Sequence, residues 1–213
     1  VIRNIIWDVD GTLFDTYPPI AMALQNAIKK LGKDAPLQSI EKLTKISLSE
    51  CIKTLSSEYE LGVEEIEREF KNEYSRVSAK ESPPFKWVKE ICEYIKSISG
   101  KNVIITHRGK EGLEELLSAY GMKEDFEGYF TRDDGYPRKP DPTSFHKAIE
   151  KYDLQKQETI NIGDREIDIV AGQNAGIFSC LFGSIPNSVK PELVVNNFED
   201  LHKYIIEQNK DQV

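Results

Sequence analysis

The sequence predicts an α/β protein: a parallel sheet flanked by helices, with a small all-helical domain inserted after the first strand. Three observations predict it. Short aliphatic runs alternate with segments of helical length through the second half of the chain. The first aliphatic run, near the start, breaks off on two closely spaced aspartates and a glycine. Between that run and the next strand lies a block with helical periodicity only.

Residues 2–7 form the first strand, whose aliphatic character without strict alternation fits the buried centre of a parallel sheet. Pro18 and Pro19 then open a helix running through Lys30, with Ile20, Leu24, Ala27, Ile28 and Leu31 on one stripe and Gly32 ending it. Helices over 47–57 and 63–79 follow, the second carrying Ile66, Phe70 and Tyr74. Ser82, Pro83 and Pro84 punctuate the chain before a helix over 85–98 and the strand Asn102–Thr106. Alternation then becomes regular: a helix over 110–120, a strand over 128–131, a helix over 141–152, and the strand TINIG over 159–163. A helix over 165–175, strands over 177–182 and 193–195 and a helix over 199–207 complete the chain, with a polar tail expected to fray from Gln208. The domain reading is therefore a Rossmann-like core of residues 1–15 and 84–213 and a helical domain of residues 16–83. Entered and left by short linkers, that domain reads as a hinged lid that excludes water and selects substrate.

Composition narrows the function. A net charge of -8 argues against a nucleic-acid backbone as partner. No apolar run reaches the length of a membrane span and no signal-peptide pattern opens the chain, so a cytoplasmic protein is expected. Cys51, Cys92 and Cys180 are odd in number and far apart, which implies free thiols rather than a disulfide framework or a zinc site. Oligomeric state is not encoded in any of these features.

In an open parallel sheet, ligands bind beyond the carboxyl ends of the strands. Asp8 and Asp10 stand at the first such end, and strand alternation would place both on one side. Two close carboxylates repel unless a cation relieves them, and a hard ion such as Mg2+ suits oxygen ligands and brings phosphate with it. Thr106 closes the second strand, where its hydroxyl and the amides of His107 and Arg108 could hold phosphate oxygens. Lys139, in the loop RKPDP, could neutralise a phosphoryl group and restrain a carboxylate. Asp164 and Asp168 lie one helical turn apart after TINIG. Each has an ordinary explanation when taken singly: Thr106 and Asp164 as helix N-caps, Lys139 as a solvated loop side chain.

Taken in order, DVDGT at 8–12, Thr106, Lys139 and GDREID at 163–168 resemble the four motifs of the haloacid dehalogenase-like hydrolase superfamily. The resemblance covers essentially the whole chain, and the helical insertion is similar to the cap of one branch, that of phosphoglycolate phosphatase-like enzymes. It implies an Mg2+-dependent phosphatase acting on a small phosphorylated metabolite. Asp8 would be the nucleophile that becomes an aspartyl phosphate, and Asp10 the acid and base. Thr106, Lys139, Gly11 and His107 would hold the phosphoryl group. Asp8, the Asp10 carbonyl, Asp164 and Asp168 would surround the metal. Asp10 argues against carbon–halogen cleavage, since dehalogenating relatives lack it. A sugar-phosphate mutase is the alternative enzyme, disfavoured because no histidine follows Asp15-Thr16, where Tyr17, Pro18, Pro19 and Ile20 stand. A non-catalytic phosphate-binding module is the alternative outside enzymes. Two departures stand out: His107 replaces the usual asparagine after the threonine, and the stretch 43–50 lacks a glycine common in relatives, leaving Lys45 as candidate substrate contact.

Overall fold

The computed structural model describes residues 1–184 and 188–210. The chain divides into two compact units, one of Val1–Phe14 with Pro84–Val213 and one of Asp15–Pro83. In the first unit, β1 (Asn4–Trp7), β2 (Lys101–Ile105), β3 (Gly128–Phe130), β4 (Thr159–Gly163), β5 (Phe178–Phe182) and β6 (Leu193–Val195) form one sheet. Its order is β3-β2-β1-β4-β5-β6, and every neighbouring pair is parallel. The chain builds outward from β1 to β3, then returns to the other side of β1, so the order reverses between β1 and β4. Such a reversal opens a crevice at the carboxyl edge. Trp7 is level with Ile104 of β2 and Ile162 of β4, which brings the segments after these three strands to the same edge.

The second unit is a bundle of α1 (Tyr17–Lys30), α2 (Leu37–Ile46), α3 (Leu48–Tyr59) and α4 (Val63–Tyr74). Leu24, Ile28, Ile40, Ile52, Leu55 and Ile66 make its core, each an apolar residue at helical spacing. Two details differ from the sequence expectation. α2 was not anticipated, although Leu37, Ile40 and Leu43 recur at helical spacing and pack on the core of the bundle, with Ile40 and Thr44 buried. α4 stops at Tyr74 rather than at 79, because Ser78 starts a separate turn in which the Glu81 carboxylate accepts from the Ser78 amide at 2.8 Å.

In the first unit the sheet is covered by α5 (Val88–Ser97), α6 (Lys110–Ala119), α7 (Thr143–Lys151), α8 (Glu166–Ala175) and α9 (Phe198–Gln208). Ile6, Val103 and Ile105 from the sheet pack with Phe145 and Ala148 of α7 and Ala171 of α8. Full burial of a side chain such as Phe145 stabilises by about 1.5–3 kcal/mol. β4 ends on glycine for a steric reason: a Cβ at Gly163 would lie 2.2 Å from that of Asp168. The tail expected to fray from Gln208 does not begin to do so there. Asn209 is buried, and its side-chain amide closes a pair of 2.8 Å hydrogen bonds with the N–H and C=O of Ile2, while 211–213 lie outside the described residues. All three cysteines are buried free thiols. Among the described residues no helix is long and apolar enough to cross a membrane.

Candidate active site at the carboxyl edge of the sheet

β1 stops at Trp7, one residue short of the first aspartate. The Asp8 amide still donates to Ile162 O at 2.9 Å, but Val9 O then accepts from both Thr12 and Phe14, and the chain turns through Gly11 at φ 78. Strand alternation therefore does not govern Asp8 and Asp10, contrary to the sequence expectation. The turn sends the two carboxylates to different partners. Asp8 receives Lys139, whereas Asp10 receives Arg108. Gly11 supplies the positive φ, and its amide donates to Phe14 O at 2.9 Å, so that N–H is committed to the turn rather than to a ligand.

Lys139 is the cation of the site. Its Nζ lies 2.6 Å from Asp8 Oδ1 and 2.6 Å from Asp168 Oδ1, with the Lys139 side chain only 1 % exposed. It also donates to Ile105 O at the end of β2, at 3.1 Å. A solvated loop lysine is thus ruled out. Asp168 is the N3 residue of α8 and accepts from the Arg165 amide at 3.1 Å, so Arg165, not Asp164, caps that helix. Asn161 of β4 fixes the same segment by donating to Asp168 O at 2.8 Å. Asp164 instead accepts from the Thr12 hydroxyl at 3.3 Å.

Asp8, Asp164 and Asp168 offer carboxylate oxygens that all lie within 4.8 Å of one another, and these could hold a divalent cation. The Asp10 carboxylate is not part of this group. Three carboxylates around one lysine leave excess negative charge, with Arg165 as the next cation. Burial pushes the Asp8 carboxyl up to about 6, even against the nearby Lys139 ammonium. Burial would raise Asp168 as well, but Lys139 and Arg165 together hold it below the usual range. Burial opposes the charge on Lys139, and the Asp168 and Asp8 carboxylates overcome it, so that the lysine stays protonated. Asp8 Oδ2 is buried with no hydrogen-bond partner. An unsatisfied carboxylate oxygen at the meeting point of three acids is what a hard cation would use, so the residues present fit one.

Thr106 follows β2 and is buried, and its hydroxyl accepts from the Arg108 amide at 3.0 Å. The cap of α6 is Gly109, so Thr106 is not an N-cap, and the Arg108 amide is already engaged. His107 Nε2 accepts the Lys139 N–H at 2.9 Å. Thr106, His107, Arg138 and Lys139 help line a cavity of about 40 Å³ together with Ile105, Phe130 and Tyr136. Lys45 lies exposed in the last turn of α2, in the helical unit. Sequence reasoning missed the roles of Thr12, the Arg108 side chain, Arg165 and Asn161. Only Thr12 and Arg165 carry a local signal, since each sits inside a motif already recognised.

Comparison with known proteins gives this geometry a context. Residues 5–182 match the model of a family described as haloacid dehalogenase-like hydrolase. A phosphoglycolate phosphatase of Photobacterium profundum is 28% identical over 218 residues, covering 94% of either chain. The pyrophosphatase PpaX of Halalkalibacterium halodurans is 26% identical over 94% of this chain and 95% of its own. Among solved structures, that of a predicted phosphoglycolate phosphatase from Haemophilus somnus superposes with a TM-score of 0.82 at 23% identity, over 95% of this chain and 97% of that one. The family match spans the sheet from its first strand to β5 and includes every residue gathered at its carboxyl edge. This chain belongs to the haloacid dehalogenase-like hydrolase family.

Proposed function

We propose that the protein is a Mg2+-dependent phosphatase that cleaves a small phosphomonoester through an aspartyl phosphate on Asp8. The observation that carries the reading is Asp8 itself: a buried carboxylate with Oδ1 held by Lys139 and Oδ2 without a hydrogen-bond partner, beside two further aspartates. An Asp8 oxygen attacks phosphorus in line, and the bond from phosphorus to the ester oxygen breaks. Asp10 gives its proton to the departing alkoxide. Water then attacks the phosphorus of the aspartyl phosphate, Asp10 takes the water proton, and the bond between phosphorus and Asp8 breaks, restoring the carboxylate. Thr106 and Lys139 hold the phosphoryl oxygens. Asp8, Asp164 and Asp168, with the Asp10 carbonyl, would hold the metal, which when bound offsets the repulsion between an anionic nucleophile and an anionic ester.

The names of the relatives support two substrate classes, a phosphorylated two-carbon acid and inorganic pyrophosphate. Substrate choice is assigned to the helical unit, with Lys45 as its candidate contact; Lys45→Ala should raise KM several-fold while leaving kcat within about threefold. The deciding experiment is a phosphate-release screen over phosphomonoesters and pyrophosphate, with Mg2+ or with excess chelator, using wild type and Asp8→Asn in parallel. Release that needs Mg2+ and disappears in Asp8→Asn is expected. Folded wild-type protein that releases nothing from the panel overturns the reading, and phosphate transfer between sugar hydroxyls without net release would mark a mutase instead.

A further inference from the structure

We infer that His107 is a positioning residue that fixes Lys139, and through it the Asp8 carboxylate; its catalytic meaning rests on the phosphatase reading above. Lys139 comes at the end of an awkward stretch, because residues 132–138 before it are all exposed while its own side chain is 1 % exposed. Something must anchor an exposed loop whose last residue delivers a buried cation. The anchor comes from the exit of β2, at two points. Ile105 O accepts from Lys139 Nζ at 3.1 Å, and His107 Nε2 accepts from Lys139 N at 2.9 Å. These two residues flank Thr106, so the candidate phosphate-holding hydroxyl sits between the two grips on the lysine.

The chemistry of the grip requires a neutral imidazole. An acceptor at Nε2 places the ring proton on Nδ1. Burial, reinforced by Lys139, Arg138 and Arg165, lowers the His107 pKa to about 3, so no proton competes with the Lys139 N–H near neutral pH. The same environment disqualifies His107 as a general acid or base there. Its function is reach: a ring nitrogen at the far end of the side chain spans from β2 to the lysine loop. Glutamine offers an acceptor at comparable distance, and leucine fills similar volume with none.

The test compares His107→Gln and His107→Leu with wild type by amide hydrogen exchange at Lys139, thermal melting and steady-state phosphate release. Wild type and H107Q should protect the Lys139 amide and agree in kcat within about threefold. H107L should speed exchange at that amide at least tenfold and lower kcat by about 10–100-fold, with KM within threefold. H107A replaces H107L if the latter does not fold. Protection and kcat retained without an acceptor at position 107, or equal losses in the glutamine and leucine variants, would overturn the inference. If wild type releases no phosphate, the phosphatase reading fails. The exchange comparison then still decides whether His107 holds Lys139.

Discussion

Arg108 approaches a single oxygen of Asp10 from two nitrogens, with Nε at 3.1 Å and Nη2 at 2.5 Å from Oδ1. The contact is partly buried, with side-chain exposures of 13% and 25%, so it is less screened than a surface pair. It fixes the direction in which the proposed proton carrier points. Arg108→Gln should lower kcat about tenfold with KM little changed, because a misaligned acid loses rate rather than binding. Steady-state kinetics at one pH check this. Unchanged kcat would mean that Asp10 finds its position without Arg108.

Lys139 faces two buried carboxylates at once, and its removal should expose their repulsion. Lys139→Met should abolish activity, by about 10³-fold or more, and destabilise the fold by roughly 3–5 kcal/mol at neutral pH. The sign of the pH effect is distinctive. Without the ammonium both carboxyls have raised pKa values in the folded state, so the native protein binds more protons than the unfolded chain, and stability rises as pH falls. Urea midpoints at pH 7.5 and 5.5 should therefore draw closer to those of wild type at the lower pH. A deficit that stays constant with pH would show that packing, not charge, is what the methionine disturbs.

What the sequence could and could not disclose follows from distance along the chain. β4 is legible to the residue because TINIG is bounded by charged residues and closed by a glycine that a local steric conflict with Asp168 requires. The positions of Asp8, Thr106 and Asp164 are legible because each directly follows a strand and strand ends converge on one edge in a parallel sheet. Lys139, by contrast, lies well beyond β3, after an exposed loop. The partners of these residues are not legible. The contact of Lys139 with Asp168 joins residues 29 apart, and that of Arg108 with Asp10 joins residues 98 apart, so nothing in either local segment announces it. Strand alternation is not what positions Asp8 and Asp10, because it holds only within a strand and β1 ends at Trp7. α2 was overlooked although Leu37, Ile40 and Leu43 carry its helical period onto the bundle core.

His107 also gives a test in stability. Its pKa is lowered from 6.5 to about 3 in the folded protein, chiefly by burial. Below pH 6.5 the unfolded chain therefore takes up a proton that the folded chain refuses. The contribution is present above that pH and is lost progressively as pH falls toward 3. After discounting for partial exposure it amounts to roughly 1 kcal/mol between pH 6.5 and 5. Denaturant unfolding at those two pH values should show His107→Gln losing less stability than wild type by about that amount. Equal losses would mean that the imidazole becomes protonated in the folded state.

Asn209 ties the two ends of the described chain together, accepting from the Ile2 N–H through Oδ1 and donating to Ile2 O through Nδ2, each at 2.8 Å. Both residues are buried, so Asn209→Ala leaves an amide and a carbonyl of β1's leading segment without partners or water. A cost of about 1–3 kcal/mol follows, equivalent to a melting shift of roughly 2–12 °C for a chain of this size. Lys210 provides the control, because its pairing with Glu207 is exposed at 65% and 70% and should contribute almost nothing. Lys210→Ala is therefore expected to melt with wild type, and Asn209→Ala below both. If the two variants melt together at the wild-type temperature, the chain end contributes nothing to the fold beyond α9.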